Sequence, residues 1–303
     1  MTTPLVSIVI PTRNGMETLP SVLDAIASQR AAPPFEIVAV DSGSTDGSAA
    51  LLRRRVDRLI EIEPSAFDHG LTRNLAIEHS RAELIILLVQ DAVPANDAWL
   101  AALTQPFAGN DRLAGVFARQ VARPDASALT RHYLHRWAGA AERPRIMAAT
   151  SGSELASLTP RARMERCTFD NVCSCIRRSV WQAHPFRATS FGEDIAWARD
   201  VLLAGYHVAY VPDAVVVHSH DRSAWYEFAR TYEAHRLLCE LFDLRTIPTL
   251  PALARAVVSS ARLHARLEWT LRAGALAVAW PAGQYLGALA AKRGWRLSRV
   301  KSI

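Results

Sequence analysis

Leu84-Ile85-Ile86-Leu87-Leu88-Val89 is an unbroken apolar run that stops abruptly at Gln90, Asp91 and Ala92. A run of this kind between polar residues predicts a strand covered on both faces, as in a parallel sheet. Val6-Ser7-Ile8-Val9-Ile10, breaking at Pro11-Thr12-Arg13-Asn14, predicts a first short strand, and Phe35 to Asp41 a second, also ending in a carboxylate. Between them the pattern predicts a helix from about Thr18 to Gln29. After Asp41 the turn-rich Ser42-Gly43-Ser44-Thr45-Asp46-Gly47 leads into another amphipathic helix, and Leu59 to Ile62 reads as a third strand. Repeated β-α-β units with short loops predict a doubly wound α/β sheet. Ligands of such sheets bind outside the carboxyl ends of the strands, so Asp41 and Asp91 should face one crevice. Each also has a local reading: Asp41 as an Asx turn opening its loop, Asp91 as the cap of the next helix.

Two later segments repeat the theme. Val215-Val216-Val217 is a buried strand ending in His218-Ser219-His220-Asp221-Arg222. Phe191-Gly192-Glu193-Asp194 opens a helix whose apolar positions Ile195, Ala198, Val201 and Leu202 keep the helical period until Gly205. Carboxylates in a first helical turn are stabilised by the helix dipole, which gives Glu193 and Asp194 a structural role at least. Ala140 to Arg163 has little periodicity and is expected to be a mobile loop.

Composition confirms a folded chain and adds one asymmetry. Of 303 residues, 50% are hydrophobic and 21% charged, typical of a globular protein. From Leu250 onward stand nine basic residues (Arg255, Arg262, Arg266, Arg272, Lys292, Arg293, Arg296, Arg299, Lys301) against Glu268. The tail therefore carries +8 and, with the chain at +6, the remainder carries −2. No nucleic-acid-binding pattern accompanies this charge, which favours a membrane surface as partner over nucleic acid. The uncharged stretch Ala273 to Ala291 has spanning length but is rich in Ala and Gly and contains Pro281 and Gln284. It is better read as part of an interfacial helix pair, with Trp269, Trp280, Tyr285 and Trp295 at headgroup level. The alternative is packing against the rest of the chain or in a homodimer. A chain ending near Thr249 is expected to fold and bind nucleotide. Leu5 to Ile10 is too short for a signal-peptide core and has no basic segment before it, so a cytoplasmic location is expected. The four cysteines, Cys167, Cys173, Cys175 and Cys239, lack metal-site spacing and are expected as reduced thiols.

Taken together, Val-Ile-Pro-Thr-Arg-Asn, Val-Asp-Ser-Gly-Ser-Thr-Asp-Gly, Gly70-Leu71-Thr72-Arg73-Asn74, Gln90-Asp91-Ala92 and Phe191-Gly192-Glu193-Asp194 resemble glycosyltransferase family 2. The resemblance runs from about Val6 to Arg236 and is strongest to the bacterial rhamnosyltransferase-like branch, where Gln-Asp-Ala replaces the usual Asp-x-Asp. It implies the GT-A fold, a Rossmann-like, mostly parallel sheet with flanking helices, here followed by a helical tail. A nucleotide-sugar half of about 1–118, an acceptor half of about 119–236 and a basic tail of 237–303 are the expected divisions.

The resemblance also implies site roles. Donor binding falls to Pro11, Thr12, Asn14, Asp41, Ser42, Arg73, Gln90, Asp91, Asn171 and Arg222, with Asp41 at the base and Arg73 and Arg222 at the phosphates. A divalent cation, Mg²⁺ or Mn²⁺, is implied at Asp91 with His218 or His220, between which alternation cannot choose. Asp194 is the implied general base and Glu193 its supporting contact. One base without a carboxylate nucleophile implies a single displacement with inversion. The Gln-x-x-Arg-Trp element of processive synthases is absent, which implies one sugar added at a time. The implied donor is dTDP-rhamnose, with a UDP or GDP sugar as the alternative. The implied acceptor is a cell-surface glycan or lipid-linked sugar at the inner face of the cytoplasmic membrane, approached through Arg119-Gln120 and the stretch from Arg131 to Trp137. An inert nucleotide-sugar-binding scaffold or sensor is the rival reading, because Gln90 stands where the family has its first acid.

Overall fold

A computed structural model of the protein describes residues 5–30, 32–149, 151–189 and 191–295. The strands are β1 (Val6–Thr12), β2 (Phe35–Asp41), β3 (Arg58–Glu61), β4 (Leu84–Leu88), β5 (Val93–Pro94), β6 (Leu113–Val121), β7 (Arg145–Ala148), β8 (Cys173–Arg177) and β9 (His207–Val217). They form one sheet in the order β3-β2-β1-β4-β8-β6-β9-β5, with β7 also paired to β9. β1 to β4 are mutually parallel, β8 runs against both β4 and β6, and β9 follows β6 in parallel. Only β5, β7 and β8 oppose the common direction, so the sheet is mixed but mostly parallel.

Both faces of the sheet are covered, which is why the strands read as continuous apolar runs. Val9, Val38, Val40, Ile85 and Leu87 point to one side, where the helices His69–Glu78 and Glu193–Leu203 supply Ala76, Ile77, Trp197, Ala198 and Val201. Ile8, Ile10, Ile37, Ala39, Ile86 and Leu88 point to the other, against Leu19, Val22, Leu23 and Ile26 of Leu19–Ala27 and Trp99 and Leu103 of Trp99–Thr104. The alternation along each strand sorts one buried residue to each layer. All four cysteines are buried free thiols.

Two expectations change. β9 begins at His207, well before Val215, because Pro212 and Asp213 interrupt its apolar pattern. Those residues lie in a bulge: Ala118 pairs with Val211 while the next residue, Arg119, pairs with Val215. Residues 140–163 do not form a loop throughout, since they hold β7 and the helices Gly152–Ser157 and Pro160–Arg166. Both helices carry side-chain caps that periodicity does not detect: Ser151 Oγ accepts from Glu154 N, and Thr159 Oγ1 accepts from Ala162 N ahead of Pro160.

The tail is packed rather than free. A helix Ala224–Phe242 runs through residue 236, and the last helix, Leu271–Arg293, lies along it. Small residues permit the close approach: a Cβ at Gly283 would stand 2.8 Å from Phe228 O, and one at Gly287 would collide with Tyr232 O. Trp280 is turned inward, with its ring 4.6 Å from that of Tyr133 and its Nε1 donating to Glu227 Oε2 at 3.1 Å. His264 of the helix Leu250–Leu267 is buried between Tyr133 Oη (2.9 Å) and Ala273 O (2.8 Å). Arg272 pairs with Asp221 at 3.0 Å, fixing the start of the last helix beside the end of β9. Truncation near Thr249 would remove Ala273 and Leu276 and uncover Leu129 and Ala224, which pack with them. Trp269 and Leu271 remain outside, 88% and 96% exposed. No helix among the described residues is long and apolar enough to cross a membrane. Arg296, Arg299 and Lys301 of the basic tail lie outside the described residues.

Candidate active site

The strand ends converge as the pattern requires. Thr12 and Asp41 are register partners at the ends of β1 and β2, and Ser42 N donates to Thr12 O at 2.9 Å. Asp41 accepts from Gly43 N (3.1 Å) and Ser44 N (2.9 Å), so its carboxylate organises the following turn. That turn in turn holds the segment after β1. Asn14 N donates to Ser44 Oγ, Gly15 N to Ser48 Oγ and Met16 N to Asp46 Oδ2, all within 2.8 to 2.9 Å, and Thr45 N returns a bond to Asn14 Oδ1. Asn14 has φ 47°, a left-handed conformation that asparagine tolerates. Pro11, Thr12, Asn14, Asp41 and Ser42 thus form one double loop at the sheet's carboxyl edge. The hydroxyl of Ser42 is buried without a protein partner.

Gln90 closes this loop from the β4 side. Its Oε1 accepts from Arg13 N at 2.8 Å and its Nε2 donates to Arg13 O at 3.0 Å, a side-chain amide pairing with a backbone peptide. A carboxylate could accept the first bond but could not donate the second. An amide at the family's first-acid position therefore has a mechanical reason.

Asp91, next in sequence, meets the two histidines beyond β9. Residues 218 and 220 fall on one side of an extended chain. Their Nε2 atoms lie 3.6 and 3.1 Å from the Asp91 carboxylate, and the three residues form a group of ligand atoms within 4.8 Å of one another. Both histidines are brought to Asp91, where the sequence left the choice open. Burial raises the Asp91 pKa, but the hydrogen bond from His220 and the charges of the histidines and Arg123 outweigh it and hold the pKa at about 2. Burial lowers His218 to about 4 against the pull of Asp91, so it is neutral near pH 7. The Asp91 carboxylate suits Mg²⁺ or Mn²⁺, and imidazole nitrogen beside it favours Mn²⁺ over Mg²⁺, which keeps to oxygen ligands.

The acid pair at 193–194 divides its labour. Gly192 adopts φ 75° and leaves no room for a Cβ against Leu237, which accounts for the glycine without reference to a ligand. Glu193 and Arg73 form a buried ion pair at 2.9 Å, each side chain 6% exposed. Asn171 Nδ2 donates to Glu193 at 3.2 Å, and Arg73 Nη1 donates to His69 O at 2.8 Å. Burial opposes ionisation of Glu193, but the Arg73 charge keeps its pKa below the ordinary value. Asp194 is only partly buried, and its oxygens accept from Ile195 N (2.7 Å) and Asn171 N (3.3 Å). Desolvation, with the negative charges of Glu193 and Asp170 behind it, pushes the Asp194 pKa well above a normal aspartate's. One acid is fixed as an anion; its neighbour is tuned to take a proton.

These groups share one segment of chain. Asp170 accepts from Gln120 Nε2 (2.6 Å) and Val172 N (2.8 Å), and Gln120 Oε1 contacts His218 Nδ1 at 2.9 Å. Residues 170–171 therefore touch the Asp91 group through Gln120 and the 193–194 pair through Asn171. Gln120 turns inward to this network; Asp170 stands next to Asn171 in a stretch that resembles a family motif, which gives it no role of its own, and Arg123, whose Nη2 donates to Asp91 O at 3.3 Å, carried no recognisable signal in the sequence. Arg222 is exposed and lies over the Tyr226 ring, 5.4 Å from its centroid.

A family model described as glycosyl transferase family 2 matches residues 7–175, from β1 through β8. The chain belongs to glycosyltransferase family 2. It is a glycosyltransferase with the GT-A fold. The chain is 32% identical over 235 residues to the O-antigen chain rhamnosyltransferase RfbN of Salmonella typhimurium, covering 75% of this chain and 70% of that protein. It is 30% identical to the O-antigen chain rhamnosyltransferase WbaN of Salmonella anatum, over 66% of this chain and 61% of the relative. Among solved structures, the mannosyltransferase PcManGT of Pyrobaculum calidifontis, determined with GDP-Man and Mn²⁺, matches with TM-score 0.60 over 98% of this chain and 89% of its own, at 20% identity. That likeness speaks for the fold of this family 2 enzyme.

Proposed function

We propose that this enzyme transfers one L-rhamnosyl unit from dTDP-rhamnose, with inversion and without processivity, to a growing cell-surface glycan or a lipid-linked precursor of one. The observation that carries the chemistry is the separation of three neighbouring acids into distinct roles. Glu193 is neutralised by Arg73; Asp170, which burial raises to about 6, has its oxygens engaged by Gln120 and Val172; Asp194, partly exposed, is raised well above the ordinary aspartate value and bonded only to backbone N–H groups. Asp194 takes the acceptor hydroxyl's proton as the glycosidic bond forms. The two linked loops, residues 11–16 after β1 and 41–48 after β2, hold the nucleoside. A divalent cation held by Asp91, His218 and His220 would offset the charge of the departing diphosphate. Arg123 and Arg222 lie along the same edge, while phosphate contact by Arg73 would require it to leave Glu193. The sugar is supported by the named activity of the two Salmonella relatives, and the nucleotide by the resemblance of the sequence motifs alone. Turnover of dTDP-rhamnose with a glycan acceptor, against UDP and GDP sugars, tests them; exclusive use of a UDP or GDP sugar would overturn the donor.

Asp91→Ala should weaken donor binding in Mn²⁺ by about 100-fold or more, since loss of a ligand exceeds the 10–100-fold cost of losing a group that merely supports one. Titration calorimetry with donor measures it. A transfer rate unchanged by EDTA would remove the cation from the site.

The tail supports a peripheral place at the inner face of the cytoplasmic membrane. Arg255, Arg262 and Arg266 are exposed on the outer side of Leu250–Leu267, near the projecting Trp269 and Leu271. Each basic residue near an anionic lipid surface contributes about 1 kcal/mol. The full-length enzyme should sediment with vesicles containing phosphatidylglycerol and be released by high salt, which shortens the range of surface attraction to about 3 Å at 1 M. Vesicle binding that resists salt, or none at all, would sink this reading.

A further inference from the structure

The bonds around Gln120 leave little freedom in where the protons sit. Asp170 accepts from Val172 N at one oxygen and meets Gln120 Nε2 at the other, 2.6 Å away. Burial raises Asp170 to about 6, so near pH 7 and above it is a carboxylate with no hydrogen to give, and Gln120 must turn its NH₂ group toward it. Its carbonyl oxygen then faces His218 Nδ1 at 2.9 Å, and only a protonated Nδ1 can complete that bond. With the ring neutral, Nε2 is left as a bare lone pair. The far side of the ring agrees: His218 Nε2 stands 3.6 Å from Asp91 Oδ1, beyond hydrogen-bond range, whereas His220 Nε2 approaches Asp91 Oδ2 to 3.1 Å, a distance that implies a proton between them. Two histidines beside one carboxylate are thus held in different states, and for His218 the Gln120 carbonyl on its second nitrogen fixes this.

We propose that Gln120, oriented by Asp170, is a positioning residue that holds His218 with its proton on Nδ1 and its Nε2 lone pair aimed at Asp91, ready for a cation without proton release. The proposal rests on the cation reading of the Asp91 group and deepens it. It also makes the segment 170–171 common to both ends of the reaction: Asp170 sets the histidine through Gln120, and Asn171 N contacts the Asp194 carboxylate at 3.3 Å. A displacement of this segment would disturb the diphosphate side and the base together.

The test is made first on the metal-free full-length enzyme, labelled with ¹⁵N at histidine. Long-range ¹H–¹⁵N correlation spectra distinguish the two tautomers, and a His218→Gln variant assigns the resonance. His218 should be in the Nδ1–H form, and Gln120→Met, close in volume but without the acceptor, should move it toward the Nε2–H form. In the same variant Mn²⁺ affinity, read by the paramagnetic resonance of free Mn²⁺, should fall by about tenfold or more. An Nε2–H tautomer in the unsubstituted enzyme overturns the proposal, and so does a folded Gln120→Met variant with unchanged tautomer and unchanged Mn²⁺ affinity. Failure of the unsubstituted enzyme to bind Mn²⁺, with Asp91→Ala indistinguishable from it, overturns the cation reading instead; the tautomer, measured without metal, still decides the role of Gln120.

Discussion

Asp194→Asn should lower the rate of sugar transfer by about 10²-fold or more while leaving donor affinity unchanged, the scale expected when a general base is removed. The amide keeps the shape of the side chain and its single oxygen can still accept from Ile195 N at 2.7 Å, so only the longer contact from Asn171 N, 3.3 Å to the other oxygen, is given up and the fold should be kept. The wild-type pH profile should report the same group. A base works only when deprotonated, and this carboxyl's pKa is raised by burial and by its acidic neighbours. Activity should therefore fall as pH drops through a value above the usual aspartate range, and that limb should vanish in the variant's residual activity. Near-normal turnover by Asp194→Asn would take the residue out of the chemistry.

A second large effect concerns stability. Arg73→Ala strands Glu193, 6% exposed, as a buried anion whose remaining side-chain partner is the Asn171 amide. Breaking a buried pair by removing one member costs about 3–5 kcal/mol, and for a chain of this size that lowers Tm by on the order of 10 °C. The companion variant Glu193→Gln removes the charge that needs compensation, so Arg73→Ala with Glu193→Gln should recover part of the loss. Thermal denaturation of the single and double variants decides it. Equal Tm values for Arg73→Ala and wild type would mean that the pair does not hold the 193–194 turn in place.

The parts of the fold that were legible in the sequence are those whose burial is two-sided and continuous. β1, β2 and β4 each alternate between two apolar layers, leaving runs such as Ile85-Ile86-Leu87-Leu88 that can be little else. Where the chain departs from regular pairing the signal disappears, as at Pro212 and Asp213 in the bulge of β9. The family motifs brought the eye to Asp91, His218, His220, Glu193 and Asp194, and the sequence also offered Arg73, Asn171 and Gln120, yet it did not show that these pair with the acids and histidines. Arg73 meets Glu193 120 positions away, and Gln120 meets His218 nearly a hundred away, with no local pattern to mark either contact. The tail misled for a related reason. Its small residues look weakly apolar as a membrane segment, but Gly283 and Gly287 serve close contact with another helix, a property of two surfaces that one stretch of sequence does not express.

The amide clasp between Gln90 and the peptide of Arg13 has an evolutionary corollary. It reads only main-chain atoms at position 13, so its geometry is indifferent to the side chain that stands there. Drift at position 13 can retune what the loop after β1 presents to the crevice without unfastening that loop from the segment that carries Asp91. Drift at position 90 has no such freedom, because among similar-sized side chains only an amide both gives and receives at that distance. Divergence of donor preference among enzymes built this way should therefore accumulate at the clasped residue and spare the residue that clasps it.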